Sequence, residues 1–179
     1  MLFSLERLKQ EHDVQVHWRA FELRPAGSPP IPPEYAARIA QSRPAFAAAM
    51  KSDHGVDIVF GPFGIDSRPS LILDKYAEAH GAGDAFHMAV LEAYWRRGED
   101  ISDSAVLTRI AASVGLPTDA LQAALADVQY AAQVDGDIAQ ARAFGLSGVP
   151  ATVFDRKYLV SGAQPYAYFV SAVHKAAQG

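Results

Sequence analysis

A Gly-Val-Pro step running into a β-rich stretch, Gly148-Val149-Pro150-Ala151-Thr152-Val153-Phe154, constrains this chain more than any other segment. Proline steers Val149 away from the helical region. Ala151 to Phe154 carries Thr, Val and Phe, which suit a pleated, half-buried surface. Asp155-Arg156-Lys157 is a polar hinge, and Tyr158 to Val160 returns as the partner strand of a hairpin. A cis peptide is inexpensive only before proline, at about 0.5–1 kcal/mol, yet only ~5% of such bonds adopt it. Spacing alone therefore predicts an ordinary trans proline opening the hairpin.

Ahead of the hairpin the chain reads mainly as helices. Leu2, Leu5 and Leu8 recur at helical spacing, with Glu6, Arg7, Lys9 and Gln10 on the other face. Val14, Val16 and Trp18 then alternate with Gln15, His17 and Arg19, which predicts a strand over Val14–Ala20 with one wet face. The Pro-rich run from Arg24 to Pro33 continues neither a strand nor a helix and reads as an extended connector. Glu34 to Met50 is helical, with Tyr35, Ile39, Phe46 and Met50 as its apolar positions and Pro44 expected to break or kink it. Gly55 to Gly64 is a loop carrying Val56, Ile58, Phe60 and Phe63. It is either pinned to the core or one wall of a groove, and the first reading is favoured.

Five further helices follow from periodicity and stop signals. Asp66 or Ser67 starts the first, with Ile72, Leu73, Tyr76 and Ala79 as its stripe. Asp84 opens the second, with Phe86, Val90, Ala93 and Tyr94 inward. Ile101-Ser102-Asp103 caps the third, with Val106, Leu107, Ile110 and Val114 inward. Leu121, Leu125 and Val128 mark a short fourth. Tyr130, Val134, Ile138 and Ala141 mark a longer fifth, ending at Gly145. A last helix carries Tyr166, Phe169, Val170 and Val173.

Composition narrows the function classes. At 179 residues, half of them hydrophobic, the chain buries a core without staples. A net charge of −4 argues against nucleic acid as a partner. No apolar run approaches the ~20 residues of a membrane span. The opening Met1-Leu2-Phe3-Ser4-Leu5-Glu6-Arg7 is charged too early for a secretory signal, so a cytoplasmic address is expected. There is no cysteine at all, which removes disulfides, thiolate nucleophiles and cysteine-held metals.

Gly148-Val149-Pro150 with its hairpin, followed by Val160-Ser161-Gly162-Ala163-Gln164-Pro165, resembles the C-terminal half of the DsbA family, and its FrnE-like branch fits best. Trp18 to Pro25, Asp84-Ala85-Phe86-His87 and Asp100 to Asp103 extend the resemblance over most of the chain. It implies an α/β, thioredoxin-like fold with a helical insertion, the core coming from 1–33 and 144–179 and the insertion from 34–143. It also implies that Pro150 is cis, and that Gly148, Val149 and Pro150 bind substrate, the backbone of Val149 pairing with an extended peptide or a small thiol compound.

The same resemblance exposes what the sequence lacks. Family members run strand, Cys-x-x-Cys, helix, strand, and work through a thiolate stabilised at the start of that helix. This sequence opens inside the helix, so the fold is expected to be incomplete at its N-terminus and no catalytic residue is assigned. The missing strand is an inner one, and each buried backbone group left without a partner costs about 1–3 kcal/mol. Polypeptide upstream of Met1 is the favoured source of strand and cysteines. A homodimer lending a strand, or a rearranged sheet, are the other ways out.

Other chemistry is weaker. His80 and His87 lack the convergent ligands of a metal site, so no metal is expected. Glu99, Asp100 and Asp103 read as capping and dipole compensation at a helix start. Three functions stay open. One is a DsbA/FrnE-like thiol–disulfide oxidoreductase, shown without its cysteines and unable to exchange disulfides by itself, needing no cofactor. The second is a relative of the glutathione-dependent isomerases that share this architecture, with glutathione paired to Val149. The third is a non-catalytic binding or scaffold protein.

Overall fold

The computed structural model describes residues 1–178 and divides the chain into two compact units. One is Met1–Leu23 together with the chain from Gly136, and the other is Arg24–Asp135.

The first unit is built on two helices and a hairpin. Helix α1 (Leu2–Glu11) and the C-terminal helix (Tyr166–Gln178) bury Leu5, Leu8 and Phe169 against one another. Arg7 lies over the Tyr166 ring at 4.1 Å, and the Tyr166 hydroxyl donates to Glu11 at 2.7 Å, bracing the pair. The hairpin strands, Ala151–Phe154 and Tyr158–Ser161, pair antiparallel with Thr152 opposite Val160 and Phe154 opposite Tyr158. Asp155 and Arg156 at its turn both have positive φ, and Lys157 N–H donates back to Phe154 O at 2.9 Å. The register leaves three residues, Asp155, Arg156 and Lys157, to make the turn. Phe154 and Val160 meet Phe169 within the core.

Val14–Ala20 differs from expectation. The segment keeps the alternation of a strand, with Val14, Val16, Trp18 and Ala20 turned inward and Gln15, His17 and Arg19 exposed. Yet it forms no ladder, and the described sheet has only the two hairpin strands. Side-chain alternation specifies which face is buried, but a ladder needs a neighbour about 4.8 Å away. Its far end is held by a side chain instead: Ala20 N–H donates to Asp137 Oδ2 at 2.9 Å, and Arg19 sits 3.6 Å from Oδ1 of the same carboxylate.

The second unit is helical. It holds α2 (Pro33–His54), α3 (Arg68–Ala79), α4 (Gly83–Arg96), α5 (Ser104–Ser113) and α6 (Leu121–Ala126), and the start of α7 (Val128–Ala143). With α7 and the hairpin strands β1 and β2 placed, the C-terminal helix is α8. Leu73, Tyr76, Phe86, Ala93, Leu107, Ile110 and Leu121 form the core of this unit, Phe86 being fully buried. The stop and start signals work as their chemistry dictates. Asp103 accepts from Ala105 N–H at 2.7 Å as the cap of α5, and Asp66 accepts from Arg68 N–H at 2.9 Å at the start of α3.

Helix α2 is not broken at Pro44. The helix continues through that residue. A proline deprives the carbonyl four residues earlier of its donor, and α2 buries none of its residues, so that carbonyl is free to take water. The loop before α3 is pinned, as favoured above. Val59 N–H donates to Trp95 O at 2.8 Å, and the Tyr94 hydroxyl donates to Pro62 O at 2.9 Å. Between these bonds Gly61 lies against the Tyr94 ring, where an added Cβ would come within 2.6 Å of a ring carbon and 3.1 Å of Glu99 O. The hydroxyl bond fixes that ring, so Gly61→Ala is expected to cost about 1–3 kcal/mol by overpacking. Urea unfolding followed by Trp95 fluorescence measures it, and an unchanged midpoint contradicts it.

Candidate functional site

The Val149–Pro150 bond is cis, the isomer implied by the resemblance rather than by spacing. Pro150 O accepts from Gly162 N–H at 2.8 Å, one step beyond the Ala151–Ser161 pair. That bond fixes the direction of every backbone group on the strand. In an antiparallel pair, alternate residues exchange both bonds with the partner. Pro150, Thr152 and Phe154 therefore face β2, while Ala151 and Val153 present N–H and C=O to the opposite edge. Val149 lies on the same edge. It is 51% exposed and its backbone forms no hydrogen bond with the described residues. Val149, Ala151 and Val153 thus offer a short row of free donors and acceptors, which an extended chain recognises by strand addition.

Against strand β1 stands the start of α1. Thr152 Oγ1 donates to Met1 Sδ at 3.4 Å, bringing the first residue against the strand that follows the proline. No side chain caps the helix. Its first N–H groups and the positive end of its dipole are therefore open to a negative group. A thiolate set here would be stabilised by the dipole, but the chain has no cysteine to supply one.

The three residues expected to bind substrate, Gly148, Val149 and Pro150, make up this loop. Gly148 has neither a positive φ nor any atom within 4 Å of an added Cβ, so nothing in its surroundings demands glycine. The contact of Met1 with Thr152 was missed by sequence reasoning. It joins residues 151 positions apart, and no local signal encodes it.

The alternative clusters all have structural partners. Arg109 and Arg97 bind Glu99 at 2.6 and 3.0 Å and hold its carboxyl below the usual range, the Arg109 bond contributing most. Asp100 accepts from both the N–H and the hydroxyl of Ser102. His80 Nδ1 meets Tyr76 O at 2.8 Å, and His87 lies 3.5 Å from Asp74. No group of three metal-binding side chains is found among the described residues, nor any helix long and apolar enough to cross a membrane.

A hairpin entered through a cis proline, with Met1 at the start of α1 touching its first strand, frames the candidate site. The chain belongs to the DsbA-like thioredoxin domain family, which matches it over residues 1–174. It is 28% identical over 129 residues to the uncharacterized protein YwbO of Bacillus subtilis, and the match spans 64% of that protein's length. Among solved structures, a probable DsbA oxidoreductase of Streptomyces coelicolor superposes with a TM-score of 0.79 at 26% identity, covering 99% of this chain and 81% of the other. A 2-hydroxychromene-2-carboxylate isomerase superposes at 0.78 with 18% identity, covering 97% and 87%, a likeness of fold alone.

Proposed function

We propose that this chain is the substrate-docking body of a DsbA-like thiol–disulfide oxidoreductase of the FrnE-like branch, carrying no reactive cysteine of its own. The free, half-exposed backbone of Val149 at the cis proline carries this reading, since an extended peptide can pair with it. In this role Gly148, Val149 and Pro150 hold the peptide by main-chain pairing, and α1 turns its positive end toward the reacting sulfurs. Alone, the chain does not exchange disulfides, because exchange requires an attacking thiolate.

A second reading is a glutathione-dependent isomerase-like protein. The lack of cysteine and the fold shared with the chromene-carboxylate isomerase favour it. Amide exchange at Val149 separates the two. Reduced insulin B chain is expected to slow it, while millimolar glutathione leaves it unchanged. Slowing by glutathione alone would favour the isomerase reading. No slowing by either removes Val149 as a docking point.

A further inference from the structure

Within the helical unit, rings and guanidiniums alternate along one surface. Arg38 lies 5.0 Å over Tyr35, Tyr35 stacks on Phe63 at 6.2 Å, and Arg43 covers both Phe63 and Phe60, at 5.9 and 4.9 Å. Phe60 continues to Phe46 and Trp95, whose centroids lie 6.2 and 6.3 Å away. Much of this array faces solvent: Tyr35, Phe46, Phe63 and Trp95 are 36–44% exposed, and Val59 is 49% exposed. Helix α2, which supplies Tyr35, Arg38, Arg43 and Phe46, buries no residue at all.

Three properties set this surface apart from scattered exposed hydrophobics. It is contiguous, and contiguous apolar area on a folded protein marks an interaction site. It is made of Trp, Tyr, Phe and Arg, the residue types that dominate binding energy at interfaces. It is also held rigid before any partner arrives, by the Val59–Trp95 and Tyr94–Pro62 hydrogen bonds and by the stacking itself. Rings that are already immobile lose less entropy on binding.

Charge identifies the partner. Arg7, Arg19, Arg68, Arg97 and Arg109 each meet a carboxylate of this chain. Arg38 and Arg43, like Arg24, Arg96, Arg142 and Arg156, meet none among the described residues, but of these six it is Arg38 and Arg43 that lie on ring faces. A guanidinium on a ring keeps its edge donors free for an anion. We infer that this surface docks an acidic protein segment in which apolar anchors alternate with carboxylates, the anchors on the rings and the carboxylates on Arg38 and Arg43. The site lies wholly within one unit and does not depend on the redox reading.

The test uses the full chain and two fluorescein-labelled peptides, Asp-Glu-Phe-Asp-Glu-Leu-Asp-Glu and its counterpart with lysine at every acidic position. Fluorescence anisotropy is expected to show saturable binding of the acidic peptide only, weakening as salt rises. The double variant Arg38→Gln/Arg43→Gln is expected to lose at least tenfold in affinity, and Phe63→Ser to lose a comparable factor, both with melting temperatures near that of the parent. Equal binding of the two peptides, no binding of either, or full affinity in the folded double variant overturns the proposal. So does a molar mass that doubles with concentration in the parent but not in the double variant, which assigns the surface to a second copy of the chain.

Discussion

Phe169→Ala is expected to destabilise the hairpin-bearing unit by about 3–5 kcal/mol, the range for deleting a buried phenylalanine. Phe169 is fully buried and sits where α1, α8 and the hairpin meet, with Leu5 and Leu8 on one side and Phe154 edge-on at 6.3 Å. Among the described residues Phe169 shares the buried centre of that core with Leu5 and Leu8 alone, the rest of its packing being partly buried. Net stabilities of domains are about 5–15 kcal/mol, and the loss therefore removes a large share of what holds the site together. The two tryptophans make the measurement specific. Trp18 packs in this unit and Trp95 in the helical one. In a Trp95→Phe background, urea unfolding followed by Trp18 is expected to shift by the full amount. A loss below about 1 kcal/mol, in the range of an ordinary surface substitution, contradicts the packing described.

A cysteine placed at the start of α1 is expected to be unusually acidic. Leu2 is the first residue of that helix, whose end lacks a side-chain cap. A free thiol titrates near 8.5, and helix N-termini lower it to about 3.5–7.5. The sign follows from the dipole: the positive end favours the thiolate, so the pKa falls. In Gln10→Cys, near the other end of the same helix, the dipole reverses and the thiol is expected at or above 8.5. The pH dependence of alkylation by iodoacetamide gives both values. A shift of two units changes the thiolate fraction at pH 6 by about a hundredfold. Equal titration of the two thiols would show that α1 does not present a reactive end.

Much of the architecture was legible because the signals were local. Asp103 and Asp66 bond the N–H groups their positions foretell. Leu73, Tyr76, Phe86, Ala93, Leu107 and Ile110, picked by 3.6-residue spacing, form one core. The hairpin follows from β-forming residues flanking a polar hinge. What failed was tertiary. Period-2 alternation correctly gave the inward face of Val14–Ala20, but pairing depends on a neighbour that no residue in the segment names. Pro44 reads as a break by propensity and is tolerated because α2 buries nothing. Tyr35 and Phe46 sit at helical spacing, which marks a face without saying what covers it, and both are exposed. The cis-proline loop was visible in Val149-Pro150 itself. Its neighbour Met1, far away in sequence, was not.

Insulin reduction by dithiothreitol, followed as turbidity, tests the central proposal most directly. The assay compares the chain as it stands with a form in which Met1 is replaced by a six-residue strand of alternating valine and threonine ending in Cys-Pro-Trp-Cys. The proposal predicts no acceleration by the first and clear acceleration by the second, abolished when either cysteine becomes serine. A cooperatively folded extended form that leaves the rate at the dithiothreitol background would contradict it.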